Sequence, residues 1–151
     1  MEVTLWRWSI GVQISSLALI GAFFWVLRRS IPGEPILWWA RGWAFNFLAL
    51  TAALVFWMIR TTPATQPIAY FLFMAPKSLA VLCLAQGAWS LHRPAVRITG
   101  RIPLLLGGLV YPLLGAWLFT NIDRLGVGQQ AFIGLIFVPT GIALIRAGDR
   151  A

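Results

Sequence analysis

IAYFLFMAPKSLAVLCLAQGAW, residues Ile68 to Trp89, is a run of 22 residues, almost all apolar, with Pro76 and Lys77 near its middle. As a helix it reaches about 33 Å, enough to cross the hydrocarbon of a bilayer. Lys77 then lies about 13 Å from the nearer edge, beyond the reach, on the order of 6 Å, of a snorkelling lysine. The lysine does not fit outside the span either, because Ser78 to Leu91 makes only about 21 Å of helix. An ionisable group inside a membrane is costly and by default marks a functional site.

The rest of the chain agrees with a membrane reading. Of 151 residues, 60% are apolar and 11% are charged, with a mean hydropathy of +0.81; a soluble domain carries about a quarter charged residues. The nine tryptophans (Trp6, Trp8, Trp25, Trp38, Trp39, Trp43, Trp57, Trp89 and Trp117) fall near the ends of apolar runs, where indole favours the headgroup region. The net charge of +8 comes from arginines set between those runs rather than along one face. Anionic lipid headgroups are therefore the expected partner, and nucleic acid is not. The single cysteine, Cys83, lies inside a span, which excludes an internal disulfide and points to core packing. MEVTLWRW lacks the basic start of a secretory signal, so the first apolar run is expected to be retained.

Five spans are predicted, in one domain covering residues 1–151: about 9–27, 42–59, 68–89, 102–119 and 125–145. The last is the weakest by apolar length and is interrupted by Pro139. ILWWARGW before the second span, with Trp38, Trp39, Arg41 and Trp43, reads as an interfacial anchor, as do Trp89 and Arg93 after the third. Pro76, Pro112 and Pro139 are the candidate helix kinks. In the five-span arrangement Arg7, Arg60 and Arg124 share one side, and Arg28, Arg29, Arg41, Arg93, Arg97, Arg101, Arg146 and Arg150 share the other. The arginine-rich side is cytoplasmic, which places the N-terminus outside and the C-terminus in the cytoplasm. The fold class is thus an all-α integral membrane protein, without an internal repeat at a fixed period.

Chemistry-bearing residues are few. The only histidine, His92, lies in a basic connector with no second ligand or carboxylate beside it, so no metal site or nucleophile-base pair assembles locally. No span contains a histidine for haem, and Glu2, Glu34, Asp123 and Asp149 all lie in loops or tails. No catalysis, cofactor or metal is expected of these residues. Lys77 nevertheless needs a resolution, since no Asp or Glu falls within a span. Three arrangements stay open: a neutral amine, a charged amine bonded to carbonyls or polar groups such as Asn46, Tyr70, Gln86, Gln13 and Tyr111, or an anionic ligand in a water-filled cavity. Tyr70 lies two helical turns before Lys77 on the same face, and Gln86 faces roughly the opposite way. Lys77, Tyr70, Asn46, Gln86 and Tyr111 are accordingly the candidate ligand- or signal-binding residues.

Arg28-Arg29 closing the first span, Trp39-Ala40-Arg41-Gly42-Trp43 opening the second, and Gly87-Ala88-Trp89-Ser90-Leu91-His92-Arg93-Pro94 after the third resemble the N-terminal membrane input domain that precedes the GGDEF domain of many bacterial diguanylate cyclases. Asp123-Arg124 and Leu144-Ile145-Arg146 are similar to its last part. The resemblance covers most of the chain but does not pass through Pro76-Lys77. It implies a multi-pass protein of the bacterial inner membrane, working as a homodimer, that transmits a membrane or periplasmic signal to a cytoplasmic output. No GG(D/E)EF motif occurs in these residues, so cyclase activity is not expected of them. Two other readings stay open: an accessory or structural subunit of a larger membrane complex, which the Trp-rich surface suits, and a small transporter or channel, which draws on Lys77 and the intramembrane prolines.

Overall fold

A computed structural model describes residues 2–31, 33–59, 62–92, 100–118 and 122–148, and every regular element among them is helical. Helix α1 is Glu2–Ser30, α2 Glu34–Ile59 and α3 Gln66–His92; α4 (Arg101–Leu105), a π-helical segment (Leu106–Val110) and α5 (Tyr111–Leu118) follow, and α6 is Ile122–Gly148. Four helices are long and apolar enough to cross a membrane: α1, α2, α3 and α6. The fifth apolar helix, Ile102–Leu118, is shorter, about 25 Å at 1.5 Å per residue and near the lower limit for a crossing.

This reverses the ranking expected from apolar runs. The last helix, which looked weakest, has an apolar stretch from Arg124 to Arg146, and Pro139 does not interrupt it. The predicted fourth span is the one that is short, and the predicted end at Phe119 lies outside the described residues. The second span is predicted from residue 42, but α2 begins at Glu34, so ILWWARGW forms its first turns instead of preceding it.

The helix ends follow local chemistry. Arg28 and Arg29 fill the last turn of α1, next to its negative dipole end. Glu34 and Pro35 open α2, an acid and a proline where the free backbone N–H groups favour both. Before α3 the chain turns on its own threonines. The Thr62 N–H donates to Thr65 Oγ1 at 3.0 Å, and the Gln66 N–H donates to the Thr62 carbonyl at 2.9 Å.

Helix α3 is the centre of the bundle. Half of its apolar window is buried, against 6% in α1, 17% in α2 and 11% in α6. It packs on α2, on the π segment and α5, and on α6, while α1 packs on α2. Large apolar side chains face outward instead of in: Leu19, Val127 and Leu135 are each more than 70% exposed. In water such a surface would drive association; in a bilayer it is the solvated surface.

Since lipid is as apolar as leucine, helices here need close contact and polar bonds to stay together. Glycines supply the contact at two seams. A Cβ on Gly42 would lie 2.8 Å from Leu84 Cγ, and one on Gly87 would run into the indole of Trp39, so α2 and α3 touch backbone to side chain along their length. On another face of α3, a Cβ on Gly108 would lie 2.7 Å from Leu79 Cδ2. The π segment carrying Gly107 and Gly108 directly precedes Tyr111 and Pro112. Pro112 has no N–H for the Gly108 carbonyl, a defect that re-registers helical hydrogen bonds locally.

Candidate functional site

Lys77 lies near the middle of α3, about 16 Å from its first residue. Its Nζ donates to Asn46 Oδ1 of α2 at 2.6 Å, so of the partners open to it in the sequence it takes a neutral amide. Because α2 and α3 are antiparallel, Trp39 against Gly87, Gly42 against Leu84 and Asn46 against Lys77 succeed one another along a single seam. Asn46 is placed on it by the three- and four-residue spacing from Trp39 through Gly42. Ala49 and Met74, both 0% exposed, follow in α2 and α3.

Tyr70 shares the helix with Lys77, but its hydroxyl is bonded by Gln66 Nε2 at 2.6 Å, one turn toward the start of α3. Gln86 is fully buried toward the other end. Tyr111 is drawn to α6: its hydroxyl donates to the Gly128 carbonyl at 2.9 Å, and its ring stacks on Phe132 with centroids 4.4 Å apart. The five candidates thus divide. Lys77 and Asn46 form one bonded pair, Tyr70 is bonded toward the start of α3, and Tyr111 fastens α5 to α6.

The tryptophans divide as well. Trp38 keeps to its own helix, its Nε1 donating to Glu34 Oε1 at 3.3 Å and its ring 5.0 Å from the Arg41 guanidinium. Trp39 and Trp43 also clasp Phe24 of α1, one edge-on at 5.9 Å and one stacked at 6.4 Å. Trp89 Nε1 donates to Thr140 Oγ1 of α6 at 3.3 Å. Arg93 lies outside the described residues. Pro76 is buried within an unbroken α3, Pro112 is buried in α5, and Pro139 is exposed on α6.

Sequence reasoning missed two residues. Ser78 is 0% and Gln129 3% exposed, and neither Ser78 Oγ nor either polar atom of the Gln129 amide has a hydrogen-bond partner among the described residues. They sit at one level. Helices α3 and α6 run in the same direction, because Trp89 bonds Thr140 while Leu82 and Phe132, seven and eight residues earlier, both crowd Gly107. Ser78 precedes Trp89 by eleven residues and Gln129 precedes Thr140 by eleven. Eleven residues are about 16 Å and three turns to within about 20°, so each lies on the same face as its bonded successor. Leu125, Gln129 and Thr140 mark that buried face of α6. The sequence signal was the shared eleven-residue spacing, readable only once Trp89 and Thr140 are known to meet.

Asn46, Lys77, Ser78 and Gln129 therefore form a polar layer across the middle of α2, α3 and α6, with Tyr111 bonded beside Gln129. Chemically the layer offers one amine, two amides and two hydroxyls. Among the described residues no group of His, Cys, Asp and Glu able to hold a metal occurs. The chain matches no protein family, no curated protein and no solved structure among those with which it was compared.

Proposed function

We propose that the chain is a membrane input module of five spans, with its N-terminus outside and its C-terminus in the cytoplasm of a bacterial inner membrane. It receives a membrane or periplasmic signal and passes it along α6 to a cytoplasmic output, without catalysis of its own. The observation that carries the reading is the one-sided packing of α6. Its inner face is held on α3 through Thr140, while nothing lies within 4 Å of a Cβ added at Gly134 or Gly141 on another face, where Val138 and Ile145 are 61% and 68% exposed. Small residues seven apart with exposed branched neighbours suit close pairing with a second helix, and a second copy of α6 is the partner a homodimer supplies. A signal that binds two packings of the polar layer unequally shifts their populations, and α6 carries the difference to Arg146. The resemblance of Arg28-Arg29, Trp39 to Trp43 and Gly87 to Pro94 to cyclase input domains supports the same reading, as does the eight-to-three arginine split.

The test is cysteine cross-linking in native membranes. In a Cys83→Ala background, Gly141→Cys is expected to give a disulfide-linked dimer and Thr140→Cys, on the inner face, is not. A chain that stays monomeric in both, or a C-terminal tag labelled from outside the cell, would defeat the proposal. The accessory-subunit reading draws on α1, which packs on α2 and leaves Leu19, Phe23 and Val26 at least 59% exposed. Recovery of unrelated membrane proteins in stoichiometric amounts with the chain would favour it.

A further inference from the structure

We propose that Ser78 and Gln129 bind a water molecule between α3 and α6, at mid-depth in the bundle and beside the Lys77–Asn46 pair. Ser78 Oγ, Gln129 Oε1 and Gln129 Nε2 are buried and make no hydrogen bond among the described residues, and the equal eleven-residue spacing back from the Trp89–Thr140 bond brings them to about one height of α3 and α6. Each such group left dry is a substantial destabilisation, the more so in an apolar surround.

The donor set selects the ligand. A hydroxyl that gives and takes, an amide oxygen that takes and an amide nitrogen that gives are complementary to one molecule with two donors and two acceptors, and a buried water typically makes about three such bonds. A cation finds no carboxylate here and has the Lys77 amine, a hydrogen-bond donor toward Asn46, one residue away. An anion would meet the Gln129 carbonyl oxygen, while Lys77 Nζ is directed at Asn46. The neighbouring π segment fits the assignment, since Gly107 and Gly108 place this irregular backbone against Leu82, one turn along α3 from Ser78, and against Leu79, the residue next to it; π segments frequently mark functional sites. Water bonded to both helices lets α3 and α6 shift against each other without stranding three polar atoms. The site stands whether or not the chain proves to be an input module.

Two measurements test it. The first is solid-state NMR of the wild-type protein in lipid bilayers, labelled with ¹⁵N-glutamine, with magnetisation transferred from water. The Gln129 side-chain amide, identified by its loss in Gln129→Met, is expected to receive water magnetisation at mid-bilayer depth; an amide that receives none overturns the proposal. The second is thermal unfolding of Ser78→Ala, Gln129→Met and the double variant. A bridging water predicts that each single variant lowers Tm by about 2–4 °C for a chain of this size, and that the double variant falls no further than the worse single. If the groups are instead simply unpaired, Gln129→Met raises Tm, which overturns the proposal as well. Should the double variant fail to fold, the wild-type spectrum decides alone.

Discussion

Removing either partner of the Lys77–Asn46 pair should have unequal consequences. The bond is 2.6 Å long and joins two helices through half-buried side chains. Hydrogen bonds to charged groups contribute about 1.5–3 kcal/mol in proteins, whereas polar contacts between membrane helices average about 0.6 and reach about 1.7 kcal/mol. The two ranges meet at about 1.5–1.7 kcal/mol, and a coupling of about 1–2 kcal/mol around that value is expected. Asn46→Leu leaves the Lys77 amine without this acceptor, so it loses the whole coupling and adds the burden of a stranded polar group. Lys77→Met loses the bond but also removes a group that costs about 2.5–3.5 kcal/mol at a helix centre on insertion scales. Because these two effects oppose each other, Lys77→Met is expected to stay within about 1–2 kcal/mol of wild type, and Asn46→Leu to be the least stable of the three. The double variant should resemble Lys77→Met, because the leucine then faces an apolar neighbour. Equilibrium unfolding in mixed lipid-detergent micelles with increasing sodium dodecyl sulfate gives the four free energies of the cycle. A coupling below about 0.5 kcal/mol is indistinguishable from independent sites and would refute the bond as a fastening of α2 to α3. If Lys77→Met kept the stability of the wild type but abolished the response of a fused output domain, the lysine would belong to signalling rather than to packing.

Gly87→Ala, whose new methyl would run into the Trp39 indole, should destabilise by about 1–2 kcal/mol in the same titration, from overpacking set against better helix propensity. Gly11→Ala, on α1 and away from the proposed α6 pairing face, meets nothing within 4 Å and should be neutral or gain up to about 1 kcal/mol, so equal effects at the two glycines would contradict the packing described. Tyr111→Phe keeps the stack on Phe132 and removes only the bond to the Gly128 carbonyl. It should cost about 0.5–1.5 kcal/mol in the same titration; an unchanged stability would show that the hydroxyl does not hold these helices.

The membrane character of the fold was legible in composition, and the central helix in a single stretch, because apolar length and the two-turn spacing of polar groups are local properties. Lys77 was visible for the same reason, and Asn46 stood among its possible partners. Choosing Asn46 over Tyr70 required the register of α2 against α3, set by Gly42 and Gly87 at contacts far apart in sequence. Ser78 and Gln129 were illegible because each is unremarkable in its own helix and matters only through the facing one. Helix lengths were misjudged where apolarity and helicity part company. Residues 122–130 contain Asp123, Arg124 and two glutamines yet are helical, while Ile102–Leu118 is apolar throughout but carries a π segment at Gly107 and Gly108.

The short turn built on Thr62 and Thr65 makes α2 and α3 a hairpin that contains both Lys77 and its acceptor. During biosynthesis the two helices leave the ribosome consecutively, ahead of α5 and α6. The pair can therefore close before the rest of the bundle exists, and the lysine enters lipid with its hydrogen bond already made. Insertion of this protein is then expected to proceed by hairpins rather than by single helices. A truncated chain ending after His92 should integrate as well as the longer one, whereas the same truncation carrying Asn46→Leu should integrate less efficiently. The residue that looks most out of place in the bilayer thereby sets the order in which the chain is assembled there.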